Sequence, residues 1–400
     1  MKRYSLLTYI TMVMAMLLTL TSCEENDDPQ PIENTIGRAV LVYMAANNNL
    51  SGFDSDDIKE MLEAAGEGAF GENRLVVYHH SSRNDPALKE VTADGLVELK
   101  VYDKDESAVS SVRMRRVIDD FRREARAEHY GLILWSHGSG WEQNGMTPDE
   151  DAAPASAPQR AFGIDRFDGR NYSMNITTLA DVLSGYDFDF VYFDCCHMAG
   201  VEVAYQLRNV TSRVIGSVTE LPSEGMPYQL TLPFLMKDEA DTEGAAEATF
   251  TYFDSYTGVN RTCTMSVIDT SCLDRLAEAV AEVYALHPTL PAGYQPQKFI
   301  RYNCYFFDLG HYLEAFAENG DERLKAAVRN AQDALEAAVV YKGATPYIWE
   351  GGHDVWGRSI EVELKSHCGL STYILDNLQS AGTFNYDTLD WYTDVVSFLF

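Results

Sequence analysis

Residues 188–207 read FDFVYFDCCHMAGVEVAYQL, from Phe188 to Leu207, and the change of pattern inside them decides the fold. Phe188 to Phe193 is short, aromatic and β-branched, the composition of a buried strand. Met198, Val201, Ala204 and Tyr205 then recur at helical spacing, which predicts a helix from Met198 to Leu207. Asp194, Cys195, Cys196 and His197 lie between. A strand that gives way to a helix places its last residues at the carboxyl edge of a sheet, where open α/β folds bind ligands. A cysteine there also meets the amide dipoles of the following helix, which favour thiolate over thiol. Two buried cysteines packing a strand end fit the same letters, because free cysteine is among the most buried residue types.

A second strand end bears on that choice. Tyr130 to Ser136, YGLILWS, is another apolar run, and it stops at His137-Gly138-Ser139-Gly140-Trp141. Neighbouring parallel strands would bring His137 and Cys196 to one sheet edge, where an imidazole can exchange the proton that nucleophilic sulfur must lose. Glycine after the histidine allows close backbone approach, and its N–H is a candidate oxyanion donor. His79 and His80 also close a strand, but no glycine follows them.

WSHGSGW followed by FDCCHMAGVEVAYQL resembles the clostripain family of cysteine peptidases, which has the caspase-like fold. The family's His-Gly block is similar to His137-Gly138, and its Asp-x-Cys-x-Met block to Asp194 through Met198. VLVYMAANNNLSGF (Val40 to Phe53), SVTELPSEGMPY (Ser217 to Tyr228), FFDLGHYLEAF (Phe306 to Phe316) and CGLSTYI (Cys368 to Ile374) resemble other family landmarks. The likeness runs from about Arg38 to the C-terminus.

Lys2 and Arg3, the apolar run Leu6 to Leu20, and Thr21-Ser22-Cys23 have the order of a lipoprotein signal peptide (residues 1–22), with lipid expected on Cys23. Threonines at 8, 11 and 19 break that run and weigh against a membrane-spanning anchor. Residues 23–37 open with Glu24-Glu25-Asn26-Asp27-Asp28, an acidic tether that resembles export tags of some Gram-negative outer-surface lipoproteins. The expected address is therefore the bacterial cell envelope, lipid-anchored, at the outer membrane and facing outward. A formal net charge of −30 argues against nucleic acid or anionic lipid headgroups as partners and suits basic substrates. Seven cysteines show no metal-ligand spacing, so no metal site is expected, and no disulfide pairing can be read from them.

From Val40 onward strands and helices alternate, predicting an α/β fold: a mainly parallel sheet sandwiched by helices. Asp54 to Ala65 reads as a helix, residues 90–101 as a hairpin turning at Asp94-Gly95, and Ser107 as the N-cap of the next helix. Val214 to Val218 and Cys263 to Val267 continue the sheet. We place a catalytic domain at 38–290 and a helix-rich accessory part at 291–400, with Arg323 to Tyr341 read as helical. Glu142 to Arg170 is a polar insert of loop composition without Lys or Arg before Arg160. Clostripain relatives are often cut here, which makes Arg160 the candidate processing site; an uncut loop reads equally well.

The resemblance implies roles for particular residues. Cys196 is the nucleophile, with Cys195 its rival, and His137 protonates the leaving amine and then activates water. Gly138 and Cys196 amides supply the oxyanion donors. Asp194 lines the first specificity pocket and pairs with Arg or Lys of the substrate, with Glu220 and Glu224 adding charge; a structural aspartate bonded to backbone amides is the alternative. His197 and Met226 depart from the family pattern, and His197 is expected to point away from the thiol. No cofactor is expected; calcium stays open, since clostripain depends on it and relatives vary. The leading expectation is a cysteine endopeptidase cutting after Arg, with Lys next. Its alternatives are a peptidase or transpeptidase of other specificity, and a surface binding lipoprotein that has lost turnover.

Overall fold

The computed structural model describes residues 35–142, 162–286, 294–300, 305–318, 320–353, 359–375 and 382–399. Its centre is a set of parallel strands: β1 (Ile36–Ala46), β2 (Arg74–Ser81), β5 (Ala127–Trp135), β8 (Phe188–Asp194) and β9 (Thr211–Gly216). Antiparallel strands widen it at both sides: β3 (Ala87–Thr92) and β4 (Gly95–Val101) beyond β2, and β10 (Thr264–Asp269) and β12 (Val339–Ala344) beyond β9. The order is β12-β10-β9-β8-β5-β1-β2-β3-β4. A separate hairpin, β6 (Phe162–Phe167) with β7 (Arg170–Met174), leans over the carboxyl edge, and a short β11 (Phe307–Asp308) pairs with Ser371–Thr372.

The central strands are nearly continuous apolar runs because both of their faces are covered. From Ala39 to Ala46 every residue of β1 is buried. Leu41, Tyr43, Phe193 and Cys195 point into one layer, which holds helices α2 (Ser111–Glu124), α3 (Ile176–Leu183), α4 (Val201–Gln206), α7 (Leu273–Leu286), α8 (Leu309–Glu318) and α9 (Glu322–Ala338). Val40, Val42, Phe190 and Tyr192 point into the other, under α1 (Phe53–Gly66), α5 (Tyr228–Leu235) and α6 (Thr242–Asp254). Strand period therefore assigns each residue at a strand end to one layer. Asp194 belongs with Tyr192, and Cys195 with Phe193.

Several expectations need correction. The helix after the cysteines does not begin at Met198: α4 starts at Val201 and is six residues long. Residues 197–199 are instead irregular chain tied to residues 217–219, with the His197 amide donating to the Thr219 carbonyl (3.0 Å) and the Ala199 amide to the Ser217 carbonyl (2.9 Å). Helix-dipole activation of Cys196 thus loses its basis. Ser110, not Ser107, caps α2 by accepting from the Arg113 amide; the Ser107 hydroxyl is committed to Asp165 at 2.6 Å. Arg323 to Tyr341 is not one helix, since α9 ends at Ala338 and the next residues form β12 of the main sheet. Residues Ile36–Phe400 form one compact unit.

Candidate active site

β5 and β8 are adjacent and parallel, with Trp135 in register with Asp194. His137 and Cys196 each lie two residues beyond that pair, and both line one cleft of about 350 Å³ at the carboxyl edge. Gly138 makes the approach close enough. A Cβ there would stand 2.6 Å from the Cys196 carbonyl oxygen and 2.9 Å from the Cys195 Cβ. The histidine block is tethered elsewhere too: the Gly163 amide donates to the His137 carbonyl (2.9 Å), and the Ser136 hydroxyl donates to Ala45 (2.8 Å). Trp141, fully buried, stacks on Tyr373 with centroids 4.6 Å apart.

The two cysteines face opposite ways. Cys195 is buried, its thiol donating to the Leu134 carbonyl at 3.1 Å, and burial pushes that thiol up. Cys196 is partly open to the cleft, and the Leu221 amide donates to its sulfur at 3.5 Å. His197 takes the left-handed conformation (φ 60°), which sends its ring onto Phe306, 4.7 Å between centroids, with Nδ1 3.2 Å from the Val218 carbonyl. It has partners of its own. His79 and His80 do not compete with His137: His79 is buried on Asp54 at 2.7 Å, and His80 opens on a different cavity.

Sequence reasoning missed the partner of His137, which is Asn49, 2.8 Å from Nε2 to Oδ1. The signal was present, because Asn47-Asn48-Asn49 closes the apolar strand β1 at the same sheet edge. Asn48 braces the neighbouring hairpin by donating to the Ile164 carbonyl at 2.8 Å.

Asp194 forms the acidic wall of the cleft, on the face of the sheet under α1 and α5. It is 5 % exposed, and its two oxygens accept from the Met226 amide (2.9 Å) and the Tyr228 hydroxyl (3.1 Å). Burial raises its carboxyl above the usual range, against the pull of those two donors, and Glu60 adds to the rise. Beside it Asp57 accepts from the Trp135 indole at 2.6 Å, and burial followed by the charge of Asp194 raises that acid as well. Glu60 accepts from the Tyr228 amide at 2.9 Å. No Lys or Arg among the described residues makes an ion pair with Asp57, Glu60 or Asp194. Carboxyls gathered this closely disfavour one another's ionisation, and a neighbouring positive charge favours it. Glu60 was not singled out from sequence, and Asp57 only within the acidic run 54–57, read as a calcium candidate or a solvated helix start; acids at i and i+3 (Asp54, Asp57) on the apolar face of a helix were the available sign.

The loop after β9 closes the cleft. Glu220 lines its rim, whereas Glu224 is exposed and outside the lining, a correction to its expected place. Gly225 (φ 69°) turns the chain there, bringing the Met226 amide to Asp194 and leaving Glu224 in water. Met226 is buried under the sheet and does not form the pocket wall. Arg160 and Cys23 lie outside the described residues, as does the acidic run Asp149 to Asp151. The other acidic run, at 54–57, starts α1, and two of its carboxyls are bonded to His79 and Trp135. Among the described residues no set of His, Cys, Asp and Glu is arranged to hold a metal ion.

Comparison with known proteins agrees with this geometry. A profile of the clostripain family, Peptidase C11, matches residues 42–300. A secreted C11 cysteine protease from Bacteroides thetaiotaomicron, solved with an irreversible peptide inhibitor, is 28 % identical with a TM-score of 0.74, over 90 % of this chain and 99 % of that one. An inactive zymogen C11 protease from Parabacteroides distasonis is 28 % identical with a TM-score of 0.73, over 91 % and 99 %. No curated protein matches by sequence. With the family profile covering both strand ends and most of the sheet, the chain belongs to the clostripain family of cysteine peptidases.

Proposed function

We propose that this peptidase is an endopeptidase cutting after arginine, and after lysine more slowly, with Cys196 as nucleophile and His137 as acid and base. The observation that carries the specificity is Asp194: a buried carboxylate held by two donors, beside two more carboxyls, with no cation of the described chain paired to it. A substrate guanidinium supplies the missing countercharge and matches a carboxylate bidentately; an ammonium does so at one point. Cys196 attacks the scissile carbonyl, the Gly138 and Cys196 amides receive the oxyanion, and His137 protonates the leaving amine. Water activated by His137 then releases the acyl group.

The remaining parts of the reading concern residues outside those described. Arg160 presents the basic residue this specificity would cut within the insert, giving self-processing. The N-terminal segment delivers the protein to the envelope, with lipid on Cys23 as its anchor. No helix among the described residues is long and apolar enough to cross a membrane.

Fluorogenic peptides ending in Arg, Lys, Asp or Leu test the specificity, with Asp194→Asn beside the wild type. Turnover confined to basic peptides, with kcat/KM falling ~100-fold in Asp194→Asn, is the expected result. Cys196-dependent turnover of the neutral or acidic peptides instead would overturn the pocket assignment and leave the nucleophile standing. A chelator added to the same assays decides whether calcium contributes.

A further inference from the structure

Next to the cleft, past β1 along the same carboxyl edge, lies a second cavity of about 580 Å³. In a chain of net charge −30 its lining brings together Arg83, Lys104 and Arg166, with His80, against two acids, Asp85 and Asp168. Lys104 is committed to Asp85 at 2.5 Å. Asp168, the other acid of the lining, stands at the exposed turn of the β6–β7 hairpin. Arg83 and Arg166 are exposed, and neither has an ion-pair partner among the described residues.

The asparagine run joins the two cavities. Asn49 holds His137, Asn48 holds Ile164, and Asn47 exchanges two hydrogen bonds with Arg166: its carbonyl accepts from the Arg166 amide at 2.8 Å and its side chain donates back at 2.6 Å. Ile164 lines the first cavity and Arg166 the second. Two residues apart on one strand, they share a face and lie ~7 Å from one another. A peptide extended in the cleft therefore reaches Arg166 within roughly two to four residues of the bond at Cys196.

We propose that this second cavity is a subsite for a carboxylate of the bound peptide, paired with Arg83 and Arg166. Its ligand is either an aspartate or glutamate side chain or the peptide's own C-terminal carboxylate; both present the planar pair of oxygens that arginine grips. The protein would then read two charges of opposite sign, a cation at Asp194 and an anion at a fixed distance from it. The proposal rests on the peptidase reading above.

The test uses the full chain carrying Cys196→Ala and a series of fluorescent, amidated peptides with a central arginine. Glutamate is walked through the flanking positions, each peptide having a glutamine twin, and one acid-free peptide is made both amidated and as the free acid. The expected result is one register in which glutamate binds roughly fivefold tighter than its twin, a gap that raised salt closes. Arg83→Gln with Arg166→Gln should erase that gap and leave the glutamine twin's affinity unchanged. Preference for the free acid over the amide, lost in the same double variant, would support the subsite and name the terminus as its ligand. Equal binding throughout, a preference that survives the double substitution, or no binding of any peptide would overturn the proposal. Wild-type turnover of the acid-free arginine peptide is read separately and reports on the cleavage reading alone.

Discussion

The Nε2 of His137 lies 2.8 Å from the side-chain oxygen of Asn49, which fixes the imidazole from the side of β1. An amide oxygen accepts only, so this contact keeps a proton on Nε2 and leaves Nδ1 as the basic nitrogen. Asn49→Ala should therefore lower kcat roughly tenfold to a hundredfold while KM changes little. Asn49→Asp should move the acidic limb of the pH–rate profile upward, because a carboxylate stabilises the imidazolium. Steady-state kinetics across pH separate this role from simple loss of packing, which would shift neither limb.

The opposed cysteines give a second prediction. Cys195→Ser keeps a donor for the Leu134 carbonyl and should retain most activity, whereas Cys196→Ala should abolish it. Alkylation followed by peptide mapping should find the label on Cys196 first, since Cys195 is buried with its thiol held protonated.

Gly138 is where the two blocks touch. In Gly138→Ala the new methyl meets backbone oxygen at 2.6 Å, which cannot swing aside, so the histidine block must shift. Misplacement by about an ångström costs on the order of a hundredfold in rate, and the melting temperature should fall with it. Gly66→Ala is the control: nothing lies within 4 Å of its Cβ and its φ is not positive, so stability should hold or rise slightly.

Glu202 yields a pH prediction. It is fully buried on α4, where one oxygen accepts from the Thr372 hydroxyl, the Tyr373 amide and the Tyr386 hydroxyl. Burial pushes its carboxyl up to about 7, against those hydrogen bonds. An acid raised in the folded state favours folding below its unfolded value, near 4.5, and that contribution is lost as pH climbs through 7. Wild-type stability should thus decline between pH 5 and 8 by up to ~3 kcal/mol relative to Glu202→Gln. Denaturant titrations of both proteins at several pH values measure the difference.

The sheet and the meeting of His137 with Cys196 were legible because each apolar run stops abruptly at polar residues, and adjacent parallel strands must end at the same edge. The failures have physical causes as well. Met198 to Leu207 carries helical spacing, yet its first residues pair with Ser217–Thr219, a partner about twenty residues away that local pattern cannot show. Val339 and Val340 continue the periodicity of α9, but a vacant edge beside β10 draws them into the sheet. Asp57 and Glu60 read as ordinary surface acids of an amphipathic helix. Only the packing of α1 over Trp135 and Tyr228 shows where those carboxyls go.

Trp141 and the pair Gly163–Ile164, which stand on either side of residues 143–161, each have anchors in the fold. Trp141 is sealed among Tyr373 and Tyr386 on one side, and on the other Gly163 and Ile164 are bonded to His137 and Asn48. A chain severed between them would still carry one of those anchors on each of its two new ends.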